Sequence, residues 1–84
     1  MFDDLVFIED YSGIKRSRMT IGKYVLSVIL EPHKSLYEIA VLDDYDNFVR
    51  LPGISNDDDV VPYLTEDDVS IIMKKLMSLV GPSL

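Results

Sequence analysis

The sequence contains no cysteine, no tryptophan and one histidine, with only four glycines and four prolines in 84 residues. Without cysteine there is no disulfide framework, no thiolate metal ligand and no thiol redox chemistry, and the chain reads as one suited to the reducing interior of a cell. The lone His33 lies in the turn Glu31-Pro32-His33-Lys34-Ser35. No second histidine exists to complete a metal or nucleophile set, which predicts a surface turn residue without a chemical role. The glycines Gly13, Gly22, Gly53 and Gly81 are too scattered to cradle a phosphate, and neither a Walker nor a dinucleotide fingerprint occurs, so nucleotide hydrolysis is not expected. Long apolar runs are also missing. None approaches the roughly 20 residues that span a bilayer, and Met1-Phe2-Asp3-Asp4 sets acids where a secretory leader needs bases. The expectation is a soluble, cytoplasmic protein.

Positive charge is scarce. Eight Lys and Arg stand against fifteen Asp and Glu, for a formal net charge of −7. Such a chain repels phosphate backbones and anionic headgroups, so direct binding to nucleic acid or membrane is not expected. Paired acids are plentiful, but general acid–base catalysis needs two carboxyls made unequal by burial, and these lie in polar runs. The acidic loops 43–47 and 56–59 could offer oxygens to a hard cation, yet neither has the EF-hand register of glycine at the sixth position and glutamate at the twelfth. The expectation is therefore a non-enzyme with no metal, no cofactor and no catalytic residue.

What is present is apolar. Hydrophobic residues make up 48% of the chain and fall in segments, which is enough to fold one domain over residues 1–84. A core of that size leaves thin stability, and association with a partner is a natural way to bury more area.

The apolar tetrad Leu5-Val6-Phe7-Ile8 predicts a first strand over residues 5–9, ended by Tyr11-Ser12-Gly13 and placed at the edge of the sheet. Lys15, Arg16 and Arg18 then concentrate three of the eight bases in a stretch without apolar content, which reads as an exposed loop. Residues 20–30 read as the strongest strand. Tyr24, Leu26, Val28 and Leu30 alternate with Ile21, Val25 and Ile29, so both faces are apolar, as in a central strand covered on both sides. A turn over residues 31–35 leads to a second strand over 36–43, with Tyr37, Ile39 and Val41 on one face and Leu36, Glu38, Ala40 and Leu42 on the other. A short third hairpin strand follows at 48–51, and residues 54–64, which contain Pro62, read as an acidic linker.

The helix signals are more consistent. Thr65 suits an N-cap, Asp68 closes a short-armed capping box, Leu64 and Val69 form a hydrophobic staple, and three acids occupy the first turn. Val69, Ile72, Met73, Leu76, Met77 and Val80 recur at three-and-four spacing until Gly81-Pro82, which predicts a helix over residues 66–80. The whole reads as an α+β fold, an antiparallel meander of three to four strands with the helix laid over one face.

One helix covers one face, so the second apolar face needs the N-terminal segment, a second copy or another protein. The candidate interaction surface is Ile21, Val25, Ile29, Tyr24 and Tyr37, for which core packing or cross-strand pairing is the competing role of the two tyrosines. The acidic run Asp57-Asp58-Asp59 is the candidate rim. In size and charge the chain is similar to compact acidic accessory proteins of phages and other mobile elements, a likeness of composition. The expected function is a small acidic non-catalytic protein–protein interaction or accessory protein, with a homodimer through the apolar sheet face as one form of it. An acidic antagonist that imitates nucleic acid, or a small enzyme or ligand-binding subunit with a site shared between chains, is the alternative.

Overall fold

Among the described residues, alternating side chains joined by one two-residue turn and three longer loops build five strands, β1 (Ile8–Glu9), β2 (Lys15–Ile21), β3 (Tyr24–Leu30), β4 (Tyr37–Leu42) and β5 (Val61–Leu64), followed by one helix, α1 (Glu66–Val80). The computed structural model describes residues 1–55 and 58–81. All strand pairs are antiparallel and the sheet order is β1-β2-β3-β4-β5, so the α+β class holds and the meander has five strands rather than three or four.

Residues 20–30 are not one strand. Ile21 pairs with Tyr24 across the turn Gly22-Lys23, where Gly22 has φ 62°, the positive value that a two-residue hairpin turn requires at its first position. The turn reverses the chain and changes the phase of the alternation. Ile21 therefore shares a face with Tyr24, Met19, Leu26, Ser17 and Val28, while Val25 and Ile29 lie on the other side with Arg18 and Arg16. The basic stretch expected to be a loop is the first half of β2: Arg16 and Arg18 point away from the core, while Ser17, Met19 and Ile21 turn toward it and Lys15, on their side of the strand, stays exposed at its end.

The core sits between α1 and one face of the sheet. Leu26, Val28, Ile39 and Val41 form one hydrophobic cluster with Val69, Ile72, Met73 and Leu76. Tyr37, Ile39 and Val41 share that face, as their spacing predicts. The helix starts where its cap dictates. Thr65 Oγ1 accepts from the Asp68 amide at 3.1 Å and Asp68 Oδ2 accepts from the Thr65 amide at 2.9 Å. At the other end Gly81 stands at φ 73°, and Pro82, the remaining stop signal, lies outside the described residues.

The N-terminal segment joins the helix layer. Residues 2–4 form one 3-10 turn whose Phe2 amide donates to Ser70 Oγ at 2.9 Å, and Leu5 is buried in the core. Phe2, Phe7 and Tyr37 form an aromatic triad with centroids 5.0–5.8 Å apart. Burial, with the Glu66 carboxylate second, pushes the Tyr37 phenol above its ordinary 10.0. Only Ile8 and Glu9 of the expected first strand pair with the sheet, at its edge, because the residues before them turn under it.

Residues 48–51 make a single bridge, Leu42 to Phe48, and not a strand; Leu51 and Ile54 instead drop into the core beneath Ser55, whose hydroxyl takes the Leu51 amide at 3.0 Å. The expected linker contains β5. Pro62 needs no ladder partner at an edge, and Tyr63 at φ 64° absorbs the extra residue between the pairs Tyr37–Leu64 and Ile39–Val61.

A Cβ on Gly22 would lie 2.8 Å from Val80 Cβ and 2.5 Å from its Cγ1, whereas one on Gly53, at φ 78°, meets nothing within 4 Å. Gly22→Ala should cost about 3 kcal/mol, or about 15 °C in Tm, and Gly53→Ala about 1 kcal/mol for backbone strain alone. Thermal unfolding of the two variants measures the difference.

Candidate interaction face

The face of the sheet opposite α1 is built by strand register. Across it run the rows Arg16, Ile29, Glu38; then Arg18, Ser27, Ala40; then Thr20, Val25, Leu42. The middle row is low because Ser27 and Ala40 are small, which leaves room for Arg18 to reach over the sheet. Its Nη1 donates to Asp46 Oδ1 at 3.2 Å, on the loop after β4. Arg16 Nε donates to Asp10 Oδ2 at 3.5 Å, on the loop before β2. Two loops from different parts of the sheet thus each deliver a carboxylate to one β2 arginine.

Both loops are held by an aspartate that folds back on its own backbone. Asp10 Oδ1 accepts from the Ser12 hydroxyl and amide and from the Ile14 amide, and Asp43 Oδ1 accepts from the Tyr45 and Asn47 amides at 2.8 and 3.0 Å. The Ser12 hydroxyl does most to hold the Asp10 carboxyl below the ordinary 3.8, and the Asn47 amide does most for Asp43.

Two grooves meet at the arginines. The first, about 190 Å³, has Ser27, Ile29, Ala40 and Leu42 in its lining and the exposed Phe48 and Val60 beside them. The second, about 530 Å³, opens where the chain ahead of β1 leaves β2, and is lined by Val6, Ile8, Asp10, Arg16, Ser17 and Arg18. The apolar side chains at the two ends are unusually bare: Val6 is 75% exposed, Ile8 73%, Phe48 54% and Val60 40%. Ser17 has its hydroxyl buried on the other side of β2, without a hydrogen-bond partner among the described residues.

The expected surface residues divide between the two sides. Val25 and Ile29 are half-buried on the open face. Ile21 is buried on the helix side because the turn at Gly22 moves it opposite Val25 and Ile29; Tyr24 and Tyr37 are half-buried on that side against the core, where strand alternation places them. Asp58 is exposed, Asp59 accepts from Arg50 Nε at 3.2 Å, and Asp57 lies outside the described residues. Sequence reasoning missed Arg16, Arg18, Ile8, Phe48 and Val60. The signal for β2 was present in the alternation of Ser17, Met19 and Ile21 with Arg16, Arg18 and Thr20, followed by a glycine-containing two-residue turn.

Among the described residues no group of three or more His, Cys, Asp or Glu converges on a point that could hold a metal ion, and no helix is long and apolar enough to cross a membrane. Comparison with family models, with curated proteins and with solved structures gives no match.

Two predictions follow from this geometry. Removing an unpartnered buried hydroxyl relieves a desolvation penalty, so Ser17→Ala should raise stability by about 1 kcal/mol in chemical denaturation; a loss of that size would mean the hydroxyl is bonded. Because the Asp10 and Asp43 carboxyls ionise below 3.8 when folded, the stability they lend is present above that pH and fades as the pH falls through their folded values. Carboxyl-carbon NMR titration should give both midpoints below 3.8, and Asp43→Asn should reduce the acid-side slope of stability against pH.

Proposed function

We propose that the chain is a non-catalytic protein–protein interaction module that presents the open face of its sheet to a protein partner. The observation that carries this reading is the coincidence on one face of four bare apolar side chains, Val6, Ile8, Phe48 and Val60, with the two arginines of β2. Exposed apolar residues scattered singly mean little, but a contiguous set around a polar centre is the composition of a docking surface. Arginine suits the centre of such a surface because its planar fork can bond carboxylates or backbone carbonyls while its stem packs on apolar neighbours.

Imitation of nucleic acid draws less support. It needs arrays of carboxylates aimed at solvent, whereas Asp10, Asp46 and Asp59 are each turned onto an arginine of the same chain.

The reading is tested by photo-crosslinking in the native host, with p-benzoylphenylalanine placed at Ile8, at Phe48 or, as a control on the exposed side of α1, at Lys74. Adducts of one defined mass from the first two positions and none from the third are expected. Adducts from Lys74 alone, or from none of the three, would remove the basis for assigning this face.

A further inference from the structure

The edges of the sheet are treated unequally. At the β5 edge Pro62 lacks an amide hydrogen and the irregularity at Tyr63 breaks the ladder, devices that keep other strands from pairing. At the opposite edge β1 covers β2 for two residue pairs only, Ile8 with Arg16 and Glu9 with Lys15. Residues 17–21 of β2 are paired with β3 on one side and, among the described residues, with no strand on the other. In an antiparallel ladder alternate residues turn both backbone groups to the same side. The pair closing the turn, Ile21 with Tyr24, bonds inward, and so do Met19 and Ser17; Arg18 and Thr20 then present N–H and C=O outward, and among the described residues no other group bonds them. The groove of about 530 Å³ runs from Ile8 and Arg16 to the start of this stretch, at Ser17 and Arg18.

Building on the proposed interaction face, we infer that this edge receives an extended segment of a partner protein as an added strand, and that the segment alternates acidic with apolar residues. The bonds are set by the backbone. A strand paired to Arg18 and Thr20 widens the sheet by about 4.8 Å and runs about 17 Å along its edge, the length of five residues. The acidic positions are set by Arg18, which would stand directly opposite one side chain of the incoming strand, with Arg16 diagonal to it. Each arginine makes a single hydrogen bond to its own aspartate, at 3.5 and 3.2 Å on an exposed surface, so N–H donors remain for a second carboxylate and the existing pairs are weak enough to be shared. The opposite side of the incoming strand would lie alongside Met19 and Ile21, on the core side, which calls for apolar residues.

A second copy of β2 is a poor occupant. The strand Lys-Arg-Ser-Arg-Met-Thr-Ile carries three cations and no acid, so antiparallel pairing with itself brings like charges together and supplies no further carboxylate. The same cations that deter self-pairing admit an acidic strand. Nucleic acid would also find the arginines, but a polyanion meets the repulsion of a chain of net charge −7 and gains nothing from the open backbone edge.

The test uses the full chain and three labelled probes: an octapeptide alternating glutamate and valine, the same peptide with lysine for glutamate, and an octathymidylate. Fluorescence anisotropy should show the glutamate peptide bound more tightly than either other probe by about ten-fold or more, and R16E/R18E should lose that preference. Amide exchange should show the Arg18 and Thr20 N–H groups protected only when the glutamate peptide is present. Arg18→Gln, which keeps a polar side chain of similar length, guards against a folding defect and should weaken binding part-way. Equal binding of the two peptides, preference for the oligonucleotide, binding without protection of those two amides, or their protection in a dimer of the free chain would each overturn the inference. If that happens while Phe48 still crosslinks to a defined partner, the interaction face stands and only the added strand is lost.

Discussion

The seam between α1 and one face of the sheet is the contact on which the remaining structure depends. Leu26, Val28, Val41, Val69, Met73 and Leu76 are wholly buried there, each contributing about 1.5–3 kcal/mol of transfer free energy. That set must supply most of what holds a chain of 84 residues against the entropy of unfolding. Its formation needs three local conditions to agree. The capping pair Thr65 and Asp68 starts the helix at the residue that aims Val69 inward. The Gly22 turn places Ile21 on the same side as Leu26, and lets Val80 at the far end of α1 close against the turn. The N-terminal turn then fills the remaining flank with Leu5 and the Phe2–Phe7–Tyr37 triad.

Because everything able to cover the sheet is spent on that side, the other face is left to what the strands themselves carry. Cations and small residues lie where a second layer would otherwise stand. Arg18 crosses the row made low by Ser27 and Ala40, and Asp46 holds its tip; Asp10 does the same for Arg16. The two aspartates that shape the neighbouring turns, Asp10 and Asp43, link turn geometry to the charge pattern of the face. Substituting either would change not only a loop but also where an arginine points.

Much of the fold was legible from the residues. The helix follows from its cap, its three-and-four spacing and Gly81, and the face shared by Tyr37, Ile39 and Val41 follows from simple alternation. Three features resisted, each for a physical reason. Gly22 sits inside an apolar run, where a turn competes with strand continuity and wins because Lys23 can occupy its second position and Val80 packs against it. Lys15, Arg16 and Arg18 conceal β2, since the open-face row of Arg16 and Arg18, with Lys15 at the strand end, outweighs the row of Ser17, Met19 and Ile21 when composition is averaged. Pro62 conceals β5, because a residue that is excluded from a central strand is acceptable at an edge. The interaction face was only half visible as a consequence: Val25 and Ile29 belong to it, but the turn at Gly22 takes Ile21 to the other side, the core takes Tyr24 and Tyr37, and reading residues 15–18 as a loop leaves both arginines off.

Alternate residues of the same strands see core and solvent. Solvent relaxation enhancement by a soluble gadolinium chelate, read at the methyl groups of the free protein, tests it directly. The methyls of Ile8, Val25 and Ile29 should broaden strongly while those of Val28, Ile39, Val41 and Val69 remain sharp. Protection of both sets would contradict the account by showing the open face already covered, and broadening of both would show that the helix does not seal the other.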